Sequence, residues 1–150
     1  MKIRIETVEG LQEDEVIIRC GRVDDTIQRI HNFIKEQSLL KTGFTFYKQN
    51  QEYYFPVEEV LFFETDDERV YAHTADDAFL MKYRLYELEE ILPRCFIRVS
   101  KSTIVNTRKI YSIERNLTSS SLIKFADSHK HVYVSRHYYK QLKERMDERT

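Results

Sequence analysis

Phe96-Ile97-Arg98-Val99-Ser100-Lys101-Ser102-Thr103-Ile104-Val105-Asn106-Thr107-Arg108-Lys109-Ile110 is the most informative stretch of this 150-residue chain. A β-prone run at residues 96–99 leads into a polar, basic turn, Ser100-Lys101-Ser102. The apolar pair Ile104-Val105 follows, and then Asn106, a residue type that tolerates turn geometry. Two hydroxyls and a long cationic side chain on one loop suit contacts with phosphate oxygens and base edges. A lysine is long enough to reach O6 and N7 of guanine. The same residues also describe an ordinary solvated hairpin tip, so the loop alone does not decide the matter.

The charge around this loop is uneven. The whole chain has 24 basic and 25 acidic residues, a net charge of -1. Residues 96–146 hold 11 Lys and Arg against three acids, a local charge of +8, which leaves -9 on the rest. Such asymmetry is the footprint of a surface that meets polyanions. His129, His131 and His137 lie in the same third. The competing reading is a solvated basic face with no partner.

Outward from the loop, short β-prone runs dominate. Residues 44–55 suggest a hairpin through Gln49-Asn50-Gln51, and Pro56 to Val60 a single helical turn. Runs at 61–65, 69–74 and 78–82 are joined by acidic turns. Residues 83–92 place Leu85, Leu88, Ile91 and Leu92 at helical spacing, stopped by Pro93. Further strands are expected at 109–115, 122–126 and 131–134, and Ser135 is a suitable N-cap for a last helix from Arg136 to about Glu148. Strands at this spacing predict a mainly β, α+β domain. Ahead of it, the alternation of Ile3, Ile5 and Val8, and the run 15–20, predict two strands. Asp25 and Gln28 resemble a capping box, opening a helix with Ile27, Ile30, Phe33 and Ile34 on one face and ending near Ser38. The expected division is a β-β-α appendage at 1–41 and a β domain at 44–146.

Several functions find no support in the residues. The three glycines stand at 10, 21 and 43, so no phosphate-binding loop is formed, and no nucleophile elbow or His-Glu-x-x-His zinc helix is present. No apolar run is long enough to span a bilayer, and the N-terminus does not read as a signal peptide. Cys20 and Cys95 are too few for a disulfide framework and read as two buried thiols in a cytoplasmic protein. The adjacent acids Asp24-Asp25 and Asp66-Asp67-Glu68 read as caps and turns. His129 and His131 fall on one face of an extended segment and leave a metal-dependent enzyme open as one alternative. A small ligand-sensing or protein-interaction module with an incidental basic face is the other. Neither a cofactor nor a small-molecule substrate is expected.

Four segments in order, Val60-Leu61-Phe62-Phe63-Glu64, Arg69-Val70-Tyr71-Ala72-His73, Phe96 to Ile110, and Val134-Ser135-Arg136, resemble the LytTR DNA-binding domain over about residues 44–146. The resemblance implies an elongated arrangement of short antiparallel strands with small helices, whose loops enter successive major grooves of double-stranded DNA. It implies a bacterial transcription regulator without catalytic activity. It places Lys101 and Arg136 at the two base-reading positions, with Ser100 and Ser102 on phosphate. The 66–69 loop matches a further contact region in which Arg69 is the suitable residue, since Asp66, Asp67 and Glu68 are acidic. Arg98, Arg108, Lys109, His137 and Lys140 complete the expected DNA-binding set. The appendage resembles that of stand-alone members, which implies a membrane-protein regulator as partner; its apolar face, Ile27, Ile30, Phe33 and Ile34, points to a homodimer contact through residues 1–41, with packing on the chain's own β domain as the alternative.

Overall fold

A computed structural model describes residues 1–149, with side-chain surroundings defined for all of these except 38–42. The described elements are α1 (Asp25–Thr42), β1 (Phe46–Lys48), β2 (Gln51–Tyr53), β3 (Phe62–Asp66), β4 (Arg69–His73), β5 (Ala78–Met81), α2 (Leu85–Ile91), β6 (Phe96–Ser100), β7 (Thr103–Asn106), β8 (Ile110–Glu114), β9 (Ser121–Phe125), β10 (His131–Val134) and α3 (Arg136–Asp147). Single 3-10 turns occur at Val57–Glu59 and Thr107–Lys109. The strands form a seven-stranded sheet, ordered β2-β1-β5-β4-β3-β7-β6, and a three-stranded sheet, β10-β9-β8. Every pairing is antiparallel.

Short turns explain how so many strands follow one another. Gln49 and Asn50 both have positive φ, 51° and 64°, between β1 and β2. Asp67 and Glu68, at 50° and 66°, do the same between β3 and β4. Two successive left-handed residues make the hairpin turn whose twist matches the flanking strands.

The middle of the large sheet is covered on both faces. Phe63, Ile104 and Phe96 point into one core with Phe46, Phe79, Val60 and Leu88 of α2. Phe62, Val105 and Val99 point into a second core with Ile123, Phe125, Val132, Val134 and Leu142 of α3. A strand buried on both faces reads as a continuous apolar run instead of an alternating one, and Leu61, Phe62 and Phe63 are all buried. So are all four residues of β7. This strand was not expected as an element of its own, although it is the partner of both β3 and β6.

Polar contacts tie the two sheets together beside the second core. His73 of β4 stacks on Phe62, ring centroids 4.4 Å apart. Its Nδ1 lies 3.2 Å from Nζ of Lys130, just before β10. Lys130 also donates to the carbonyl of Asp77 at 2.5 Å, and Ser128 to that of Ala75 at 3.0 Å. An ammonium has no acceptor capacity, so Nδ1 is the acceptor and the imidazole is neutral. Burial, and then the charge of Lys130, push the pKa of His73 down to about 4. An unfolded chain takes up this proton near pH 6.5, whereas the folded one refuses it until about pH 4. The stability that His73 contributes is therefore complete above about pH 6.5 and declines as the pH falls towards 4. An NMR titration is expected to show His73 titrating near 4, and His73→Gln to flatten the fall in urea midpoint across that window. Titration near 6.5 in the folded protein would contradict the assignment.

The N-terminal region departs from expectation. Residues 1–24 form no strand. The expected strands at 1–9 and 15–20 carry β-prone residues but have no neighbouring backbone to pair with, and Ile3, Ile5, Val8, Val16 and Ile17 are exposed. Cys20 is consequently exposed as well; of the two thiols only Cys95 is buried, and burial pushes its pKa up to about 11. The N-cap of α1 is Asp24, one residue earlier than expected, which accepts the Ile27 amide at 2.9 Å. The helix continues to Thr42, past the expected end at Ser38. Ile27, Ile30 and Ile34 are half-buried, while Phe33 is 63% exposed. Glu36 of α1 accepts the backbone amide of Arg94 at 2.7 Å.

Candidate nucleic-acid interface

The registers of β3, β4, β6 and β7 bring three expected contact regions to one end of the large sheet. β3 runs antiparallel to β4, with Asp66 opposite Arg69. It also runs antiparallel to β7, with Glu64 opposite Thr103. The β3–β4 turn and the β6–β7 turn therefore emerge side by side, and the Thr65 amide donates to the Ser102 carbonyl at 2.8 Å. The start of α3 joins them through β6. Pairing of β6 with β7 slips between Arg98 and Ser100, leaving Val99 in a bulge. A bulge frees backbone groups from the ladder, and the Val99 carbonyl accepts the Ser135 amide at 2.9 Å. Arg136 thus begins its helix next to the turn that carries Lys101.

Within the turn, Lys101 and Ser102 are exposed and Ser100 is half-buried. The two serine hydroxyls lie 3.3 Å apart, and the Ser102 amide donates to the Ser100 hydroxyl at 3.2 Å. Arg136 is exposed, its guanidinium 3.5 Å from the Thr118 carbonyl in the β8–β9 loop. His137 and Lys140 are exposed on the first turns of α3, and Arg69 is exposed beside the acidic turn. Ser135 takes the N-cap position, but its hydroxyl makes no capping bond.

Not every expected residue joins this group. Arg108 and Lys109 follow Asn106, which pairs with Phe96 at the opposite end of β7 from Thr103. They are exposed, but on a different edge of the molecule. Arg98 is turned inward onto the Ser100 and Lys101 carbonyls and Glu89. His131 is exposed against Tyr133, and among the described residues no group of three His, Cys, Asp or Glu gathers to hold a metal ion. Glu64, half-buried next to the acidic turn, has its pKa raised by burial and then by the charge of Asp66.

Three residues that shape the interface were not singled out from the sequence. They are Thr65 and Val99, which act through backbone groups on distant segments, and Glu89, whose carboxylate holds Arg98. A sequence does not show these contacts, because each depends on how separate elements are placed in space.

Comparison with known proteins agrees with this geometry. A family model described as the LytTr DNA-binding domain matches residues 50–147. The chain belongs to the LytTR DNA-binding family. A solved LytTr DNA-binding domain, from a Bacillus cereus protein described as a methyl-accepting/DNA response regulator, superposes with a TM-score of 0.63 at 27% identity, covering 68% of this chain and 94% of that one. An uncharacterized HTH-type transcriptional regulator of Staphylococcus aureus strain NCTC 8325 / PS 47 is 34% identical over 148 residues, covering 97% of this chain and 98% of its own length. Its counterpart in strain MSSA476 is 35% identical over the same span. In this LytTR protein the three described helices are separated by strands, so no helix-turn-helix pair is formed among the described residues. None of these helices is long and apolar enough to cross a membrane.

Proposed function

We propose that this LytTR protein is a bacterial transcription regulator without catalytic activity, which reads double-stranded DNA through its loops. Lys101 and Arg136 contact bases in neighbouring stretches of the major groove, and Ser100, Ser102, Arg69, His137 and Lys140 contact phosphates. Arg108 and Lys109 reach DNA only where the duplex bends around the domain. The observation that carries the reading is the shared end of the sheet, where the 100–102 turn, the 66–69 turn and the start of α3 are linked by backbone hydrogen bonds. Phosphate contacts supply affinity and register, and base contacts supply specificity.

The test is binding to the promoter upstream of its own gene and to a scrambled duplex at several salt concentrations. Observed affinity is expected to fall with a log-log slope near -0.9 per neutralised phosphate. With about six phosphates contacted, that is roughly a thousandfold between 50 and 200 mM salt. Equal, salt-independent affinity for both duplexes would remove the reading.

The remaining parts of the proposal concern residues 1–41 and the setting. The exposed Ile3, Ile5, Val8, Val16, Ile17 and Phe33 support contact with a second copy of the chain, since apolar side chains in this density are stabilised by burial. A monomer in sedimentation at tens of micromolar would count against it. A cytoplasmic location, with restraint by a membrane protein, fits a regulator of this kind.

A further inference from the structure

We infer that Arg98 is a positioning residue, whose guanidinium holds the 100–102 turn in its reading shape with help from Glu89 and makes no contact with DNA itself. The inference rests on the reading above, that this turn meets DNA, and it moves Arg98 from the expected DNA-binding set to the support beneath it. Nε of Arg98 donates to the Ser100 carbonyl at 2.8 Å. One terminal nitrogen donates to the Lys101 carbonyl, and the other lies 2.7 Å from the Glu89 carboxylate on α2. All three nitrogens are thus engaged within the protein, and the side chain is only 19% exposed.

A guanidinium is a rigid planar fork with donors in fixed directions. Here it spans two successive carbonyls, those of residues 100 and 101. These flank the α-carbon of Lys101, so fixing them fixes the direction in which the lysine leaves the loop. The Ser102 carbonyl, held by the Thr65 amide, anchors the far side of the same turn. Glu89 keeps the fork oriented and neutralises it, and a carboxylate at this place repels phosphate. Holding a contact loop in its bound shape before the partner arrives lowers the ordering cost of association. A lysine at 98 retains the charge but cannot bridge both carbonyls.

The experiment compares the full-length wild type with Arg98→Lys and Arg98→Ala. Amide hydrogen exchange of residues 100–102 in the free protein is expected to quicken about tenfold in Arg98→Lys, while β3 and α2 exchange as before. Fluorescence anisotropy then follows binding to a duplex selected from a random pool and to a scrambled one, across four salt concentrations. Arg98→Lys is expected to lose about tenfold in affinity for the selected duplex at every salt, with no change on the scrambled one and the same salt slope. A phosphate contact gives the reverse pattern. Arg98→Lys then binds like wild type, and Arg98→Ala loses affinity equally on both duplexes with a slope shallower by about 0.9. That pattern, or unchanged exchange in Arg98→Lys, overturns the inference. A wild type that does not distinguish the two duplexes sinks the DNA-reading proposal instead, and the exchange result still decides what Arg98 does.

Discussion

Asn106→Leu is expected to destabilise the LytTR domain by about 3 kcal/mol, with a fall in thermal midpoint of roughly 6–12 °C. The volume is nearly unchanged, so no cavity explains the loss. Asn106 is fully buried, and its amide nitrogen donates to the carbonyls of Glu58 and Val60, both at 3.0 Å. Its side-chain oxygen accepts the Arg108 amide at 3.1 Å. Leucine leaves all three groups without this partner, and a buried polar group without a partner costs about 1–3 kcal/mol. The site closes the end of β7 opposite the DNA-reading turn, so the folded fraction of the variant should bind DNA as the wild type does. Urea or thermal denaturation gives the measurement, and a loss below about 1 kcal/mol would show that water or a shifted backbone replaces the side chain.

Lys101→Ala and Arg136→Ala are expected to act on binding and not on folding. Each should lose about 1–3 kcal/mol of preference for a selected operator over scrambled DNA. The two sit on different elements, the β6–β7 turn and the first residue of α3. Their losses should therefore add to about 2–6 kcal/mol in the double variant. Both residues are exposed, and an exposed substitution usually changes stability by no more than about 0.5 kcal/mol. Gel shifts over a dilution series, paired with melting curves, separate the two effects. Operator binding at wild-type strength by both single variants would remove the assignment.

Much of this was legible from local pattern. The hairpin at 46–53, the turn at 57–59, the strand at 131–134 and the last helix follow from periods and turn residues that need only nearby sequence. β7 was not legible, because Thr103 to Asn106 is four residues long and buried on both sides, which erases alternation. The two strands expected near the N-terminus failed for the complementary reason. β-prone residues report the propensity of a segment and say nothing of whether a partner strand exists. Asp24 and Asp25 offer two adjacent carboxylates, and it is the first that caps the helix by accepting the Ile27 amide.

The residues of the proposed contact site are legible by type, and what supports them is not. Lys101 and Arg136 are recognisable as cations on a loop and at a helix start. Asn106 read as a turn former, because its partners Glu58 and Val60 lie more than 40 positions away. Arg98 read as one more surface cation, because a sequence does not show that an arginine near the end of a strand is folded back onto the turn that follows it.

The unpaired residue in β6 has a consequence for how such a protein is retargeted. Val99 lends its carbonyl to the first turn of α3, while the residues on either side of it shape the tip that carries Lys101. One kink in one strand thus sets the stride between Lys101 and Arg136, the two residues proposed to read bases. Insertions or deletions there would throw both out of step together. On the proposed reading, new operators are reached by exchanging the side chains at the two tips, and the distance between the base pairs they read stays hard-wired.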